Sequence, residues 1–175
     1  PPSPARSREG GVVQTTIFIH LEETTSVEVA GSIARLESAH GYVGWSEADS
    51  VSLGVTRGGE AGESPELAEL SIDKQPDKAS VHLMRLAQEQ DLFKLTIHIC
   101  TTADGQLEPY QVYVAERCRL QTYSVALAES SEPKETVTIR YEKLSSSFAE
   151  LSAGNKILAD RPPSDVVVET ADAGA

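Results

Sequence analysis

LSIDKQPDKASVHLMRLAQEQDLFKLTIHIC, residues 70–100, contains the clearest helix start, helix stop and strand start in the chain. Asp77 or Ser80 is placed to cap a helix, because a short side-chain oxygen there can accept from the first free backbone N–H groups. From Lys78 onward Ala79, Leu83, Leu86 and Ala87 recur at helical spacing, with Val81 and Met84 offset from that stripe, which predicts a helix over about residues 78–90. Gln88, Glu89 and Gln90 are polar and end it. Asp91 then opens LFKLTIHIC, where Phe93, Leu95, Ile97 and Ile99 alternate with Lys94, Thr96 and His98 in the two-residue period of a strand. One amphipathic helix between strands implies a small β-rich domain whose only substantial helix lies outside the sheets or over one end.

Upstream, residues 1–11 are rich in Pro, Ser, Arg and Gly without apolar periodicity and read as a flexible arm, extending to about residue 14. VVQTTIFIHLEE, residues 12–23, sets Ile17, Ile19 and Leu21 against Thr16, Phe18 and His20. Apolar weight on both sides predicts a strand covered on two faces. Residues 26–38 continue in β-favouring types. SVSLGVTR, residues 50–57, predicts one strand with Val51, Leu53 and Val55 on an oily face and Ser50, Ser52, Gly54 and Thr56 on a small, polar one. GGEAGESPE, residues 58–66, reads as an exposed loop.

Downstream, Asp104-Gly105 is a strong turn dipeptide, so the strand over residues 92–101 folds back onto residues 110–127. That second stretch is long enough to be one bent strand, or two with a bulge near residues 116–119, where the alternation of Val112 and Val114 stops. AESSEPKE, residues 128–135, reads as another polar loop. ETVTIRYEKL, residues 135–144, alternates cleanly, with Val137, Ile139 and Tyr141 facing one way. Past Leu151 the tail carries Pro162-Pro163 and then Val166 to Val168, which could add a strand to a sheet edge of this molecule or another, or stay loose.

A chain of 175 residues suits one domain with a proper core. Its net charge of -12, with 27 acids against 15 bases, argues against nucleic-acid binding, which needs clustered Lys and Arg. No run of about 18 apolar residues exists to insert in a membrane. Nor do the first residues show the basic-then-apolar order of a secretory signal. Cys100 and Cys118, the only cysteines, would stand about six residues of register apart on the hairpin. That is roughly 20 Å, too far for a disulfide, and it implies two reduced structural thiols.

Chemistry has little to hold. His20, His40, His82 and His98 fall in no His-x-x-x-His spacing, and there is no Cys-x-x-Cys, so no metal site is implied. His98 and Cys100 share a strand face, two groups short of a tetrahedral zinc site. The sequence has no nucleophile elbow, phosphate-cradling loop or dinucleotide fingerprint, and thus no catalytic residue and no cofactor is expected. A self-assembling structural subunit, a monomeric β-barrel with a ligand cavity, and a hydrolase whose site converges only in three dimensions are the function classes left.

Lys74, Asp77, Lys78, Ala79 and Ser80 form a Lys-x-x-Asp-Lys-Ala-Ser segment that enters the helix and is followed by a strand. This resembles the signature of the haemolysin-coregulated protein family, the tube protein of type VI secretion systems, with Val81 where a proline often follows the serine. TTIFIHLEE is similar to that family's opening strand. GWSEADSVSLGVTRG is similar to its strand ending in a Gly-Val-x-Arg turn, and YQVYVAERCRLQTYSV with ETVTIRYEKLSSSF to its last two strands. The likeness covers about residues 15–148. It implies a mainly β fold, a β-barrel of two packed antiparallel sheets with one side helix, as a domain over residues 15–151 between the arm of residues 1–14 and an extension over 152–175. It further implies a homo-hexameric ring, rings stacked into a tube, and spike, sheath and effector proteins as partners. The chain would be cytoplasmic before firing and secreted after it. In this reading the five signature residues serve helix entry and assembly rather than catalysis. The tail tube of a related phage-like injection machine is the nearest alternative.

Overall fold

The computed structural model describes residues 15–23, 28–29, 42, 44–57, 65–103, 105–152, 154, 156–158 and 164–169. The expected N-terminal arm, most of residues 26–38, Asp104 and much of the tail lie outside the described residues. In chain order the elements are β1 (Thr15–Glu23), β2 (Glu28–Val29), β3 (Ser46–Ala48), β4 (Ser50–Ser52), β5 (Val55–Arg57), β6 (Pro65–Leu67), β7 (Leu70–Lys74), α1 (Ser80–Glu89), β8 (Phe93–Ala103), β9 (Gln106–Ala128), β10 (Ser131–Arg140), β11 (Lys143–Phe148) and β12 (Ser164–Glu169).

β9 is the spine. Over 23 residues it pairs first with β8 and β11 on its two edges and then, past a bend, with β10. The first sheet therefore runs β12-β11-β9-β8-β1, with β2 and β3 sharing the far edge of β1. The second runs β9-β10-β7-β4, and every pairing is antiparallel. The bend falls where alternation fails in the sequence. Against β8, Phe93 stands opposite Cys118 and Leu95 opposite Ala115, so β9 carries an extra residue there, and Arg117 takes φ +55°. A single strand with a bulge thus resolves the two options left by residues 110–127.

That left-handed conformation disfavours a branched Cβ far more than asparagine. Arg117→Val is expected to unfold at lower urea than Arg117→Asn, by about 1 to 2 kcal/mol. Comparing the two variants cancels the loss of the Arg117–Glu142 ion pair.

The two sheets and α1 enclose one aliphatic core: Ile19 and Leu21 from β1, Leu70 and Ile72 from β7, Leu83 and Leu86 from α1, Leu95 and Ile97 from β8, Leu120 from β9, and Val137 and Ile139 from β10. A second, smaller cluster of Phe18, Tyr42 and Cys100 covers the other face of β1 and β8, so β1 is buried on both sides as its sequence predicts. The helix is slightly shorter than read. Gln90, beyond its last turn, takes a left-handed φ of 60° and donates its backbone N–H to the Leu86 carbonyl.

Several boundaries differ from expectation. Residues 50–57 are two short strands in different sheets, broken at Leu53-Gly54, where the Ala68 N–H donates to the Gly54 carbonyl at 2.8 Å. Val55 accordingly faces solvent instead of joining the oily row. Pro65 and Glu66, read as loop, begin β6. Residues 135–144 split at Tyr141-Glu142 into β10 and β11, although Val137, Ile139 and Tyr141 all point inward as predicted.

The largest correction concerns residues 128–135. They are not a loop: β9 runs to Ala128, Glu129 and Ser130 make a two-residue turn, and β10 starts at Ser131 with Pro133 inside a register shift. Backbone ladder bonds hold this hairpin without any need for apolar side chains, so its polar sequence signals exposure and not an absence of strand. The triple valine lies in β12, paired antiparallel to β11 of the same molecule from Lys143↔Glu169 to Phe148↔Ser164. Cys118, opposite Phe93, is seven residues of β8 away from Cys100, and both thiols are free and buried.

Candidate functional site

The inward row of β7 is Leu70, Ile72 and Lys74, so strand alternation carries a charged side chain into the core, where Lys74 is fully buried. Its ammonium meets two carboxylates. It donates to Asp77 Oδ1 at 3.0 Å and to the Gln75 carbonyl at 3.0 Å, and it lies 2.8 Å from Oε2 of Glu135, which is also fully buried. The remaining Glu135 oxygen accepts from the Tyr123 hydroxyl at 2.7 Å. A charge in a low-dielectric interior is tolerable only with such pairing.

Asp77 and Ser80 close this cluster from the helix side. Asp77 Oδ1 also accepts from the Ala79 N–H at 2.8 Å, while the Asp77 N–H donates to Ser80 Oγ at 2.8 Å. These bonds close the turn that leads into α1, but the cap position itself is Ala79, which has no side-chain cap bond, so neither Asp77 nor Ser80 caps the helix as its sequence suggests. Ala79 is buried under the first turn, and Lys78 points outward. Four of the five signature residues thus meet at one point, where β7, β10 and the start of α1 join; Lys78 does not join them. Glu135 and Tyr123, the other two members, were not singled out from sequence. They stand 61 and 49 residues from Lys74 in the chain, and only strand pairing brings them there. Farther along α1, Arg85 pairs with the buried Glu23 of β1 and with Glu89, a second tie between helix and sheet.

Burial, and then the bond to Glu135, push the Tyr123 hydroxyl up from 10.0 to about 12. A raised folded value means that the stability it contributes is intact below pH 10 and fades as pH climbs from 10 to 12. Alkaline unfolding monitored across that window is expected to be shallower in Tyr123→Phe than in the parent chain.

Tyr42, His98 and Cys100 form a second polar group. The Tyr42 hydroxyl lies 3.0 Å from His98 Nδ1 and 3.1 Å from Cys100 Sγ, and with one proton it serves one of them as donor and the other as acceptor. Its ring stacks on Phe18 at 4.3 Å and meets Trp45 edge-on at 5.2 Å, while Trp45 stacks on His20 at 5.0 Å. Trp45 therefore packs, half-buried, as part of an aromatic lid on β1 and β8. Burial raises the Cys100 thiol and the Tyr42 hydroxyl and lowers His98. All three are held in their neutral forms, which suits a structural plug and disables a thiolate nucleophile. Among the described residues no group of three or more His, Cys, Asp or Glu side chains is arranged to hold a metal ion.

What remains is a surface. The outer face of the second sheet carries Ser50, Ser52, Ser71, Asp73, Thr122, Ser124, Thr136 and Thr138, all small and polar. Asp73 sits near its centre. Thr136 Oγ1 donates to it at 2.7 Å, Ser50 Oγ at 3.2 Å, and Lys134 Nζ lies 3.2 Å away. The Thr136 bond above all, helped by Lys134 and Ser50, holds this carboxyl below its usual range against the opposing effect of burial. The result is a polar wall of short side chains cross-linked around Asp73.

Residues 23–148 match the family described as "Type VI secretion system effector, Hcp". The chain belongs to the Hcp family. Hcp is a family of structural tube proteins, and this chain is accordingly a tube subunit of a type VI secretion system and a secreted component of it. Among solved structures, the Hcp1 protein of E. coli EAEC 042 is similar at a TM-score of 0.69 and 13% identity, covering 88% of this chain and 98% of that one. Hcp3, a secreted protein of Pseudomonas aeruginosa, gives 0.66 and 14%, covering 90% and 99%. Another Hcp crystal structure gives 0.70 and 16%, covering 90% and 98%. These likenesses establish the fold. No curated protein matches the sequence. No helix among the described residues is long and apolar enough to cross a membrane.

Proposed function

We propose that this Hcp chain closes with copies of itself into a six-membered ring and that the rings stack into the tube. A contracting sheath then drives the tube out of the cell, with effector proteins in the lumen or on a spike at the tip. The chain waits in the cytoplasm and is extracellular after firing. It does its work by assembly, without turnover. Its body is residues 15–151, to which residues 1–14 and 152–175 are appended. The observation that carries this reading is the family match over residues 23–148.

The geometry gives it physical sense. A subunit that buries its oil between two sheets has its Ser/Thr wall left to face water, and six such walls would line a lumen that wets its cargo without gripping it. The Lys74, Asp77, Ala79 and Ser80 junction fixes α1 against β7 and β10, which holds the subunit rigid enough for a ring to close, while the Lys78 side chain is exposed to solvent beside it. Negative-stain microscopy of the purified protein is expected to show rings roughly 80 to 90 Å across, the size of a closed ring of about six small domains. A field of single small particles at high concentration would contradict the proposal.

A further inference from the structure

Beyond the last core contacts, the inward row of β9 goes on as Tyr123, Val125 and Leu127, but the barrel ends beneath it. Tyr123 still packs against the core, Val125 is 42% exposed and Leu127 is 72% exposed. The β9–β10 hairpin is thus an arm that repeats the core pattern where the described residues leave it uncovered, which marks a surface completed by another molecule. A receptor of matching character exists on the same chain. Between the β5–β6 hairpin and β12 lies a cavity of about 470 Å³ whose apolar lining includes Val55, Pro65, Val167 and Val168, with Arg57 beside it. Val55 and Val167 are 46% and 58% exposed, large apolar side chains that likewise lack cover.

Position and charge pair the two features. The arm tip follows the Ser131 end of β10. The groove lies past the Arg140 end, since Glu169 of β12 pairs with Lys143. The ten residues of β10 therefore separate knob from hole by about 30 Å along the strand direction. No arm reaches its own groove, and a copy displaced along that direction would receive it. At the rim, Lys143 is shared between Glu169 at 3.2 Å and Glu116 at 3.3 Å, and the exposed Arg57 is the second cation beside the groove; the exposed turn residue Glu129 brings the opposite charge at the arm tip. Two different patches that fit each other make a head-to-tail contact, the kind that propagates along an axis and does not stop at a dimer.

We infer that the arm of one copy, through Val125 and Leu127, seats in the β5–β6/β12 groove of a copy in the next ring, with Glu129 meeting Arg57. The inference rests on the ring reading above and names its stacking contact. β12 follows the matched core of residues 23–148, so one wall of this socket is built from sequence added to that core.

The test mixes two single-cysteine variants, Leu127→Cys and Val167→Cys, under mild oxidation; Cys100 and Cys118 are fully buried and stay silent. A disulfide-linked dimer is expected in the equimolar mixture, carried by stacked species, and in neither variant alone. In parallel, Leu127→Asp is expected to reduce stacked particles about tenfold or more while ring-sized particles persist. A link formed by Leu127→Cys alone, a link confined to isolated rings, or tubes of Leu127→Asp as abundant as those of the parent would overturn the contact and leave the ring reading standing. A parent chain that forms no rings at all would instead overturn the ring reading itself, and the contact with it.

Discussion

Replacing Lys74 with methionine is expected to lower the free energy of unfolding by about 3 to 5 kcal/mol, the cost of stranding a buried carboxylate. The ammonium is the counter-charge of Glu135 Oε2 among the described residues, and it also pairs with Asp77 at the helix entry. Methionine fills similar space, so the loss is one of charge balance and not of volume. The double variant Lys74→Met/Glu135→Gln should recover much of it, because a neutral amide can still accept from Tyr123 without a cation beside it. Chemical denaturation of both variants checks the pair: equal losses in the two would show that packing, and not pairing, holds this junction. For the tube, the consequence is that α1 loosens from β7 and β10 before the barrel itself opens.

The second large effect is expected at the spine. Val114 of β9 stands between Thr96 of β8 and Ser145 of β11, paired on both edges. Proline there removes a ladder donor at the centre of the first sheet and is expected to cost about 3 kcal/mol or more, enough to abolish a cooperative thermal transition in a chain of ordinary stability. The contrast is Val167→Ala on β12, a half-exposed edge side chain, which should change stability by about 0.5 kcal/mol or less. Circular-dichroism melts of the two variants separate a spine at β9 from an evenly shared sheet; comparable shifts would refute the former.

Legibility followed the range of the interaction. The helix could be read because Leu83 and Leu86 share one face within a single turn, but its cap was misplaced: Asp77 and Ser80 bond each other in the turn before it, and the cap position is Ala79. The bend in β9 showed in the lapse of alternation after Val114, though not that Arg117 would take the left-handed turn. Lys74 was found through a resemblance, but its burial was hidden: a lysine reads as solvated until Glu135 is placed opposite it by the β7–β10 register. The Tyr42, His98 and Cys100 group joins positions 56 and 58 residues apart and leaves no local periodicity. Residues 128–135 read as a loop, although the β9 side of the arm up to residue 127 reads as strand, because polar side chains mask a ladder made of backbone bonds. The partner of Val166 to Val168 was open for the same reason, since an edge strand is chosen by its hydrogen-bonding row and not by its side chains.

The claim on which the functional account rests is that this subunit is incomplete alone and closes a ring with itself. Native mass spectrometry of the full chain measures that directly. The account predicts a dominant species of six copies, roughly 113 kDa from a chain of 18.8 kDa, with multiples of it as rings stack. A single 18.8 kDa species persisting up to millimolar concentration would contradict it.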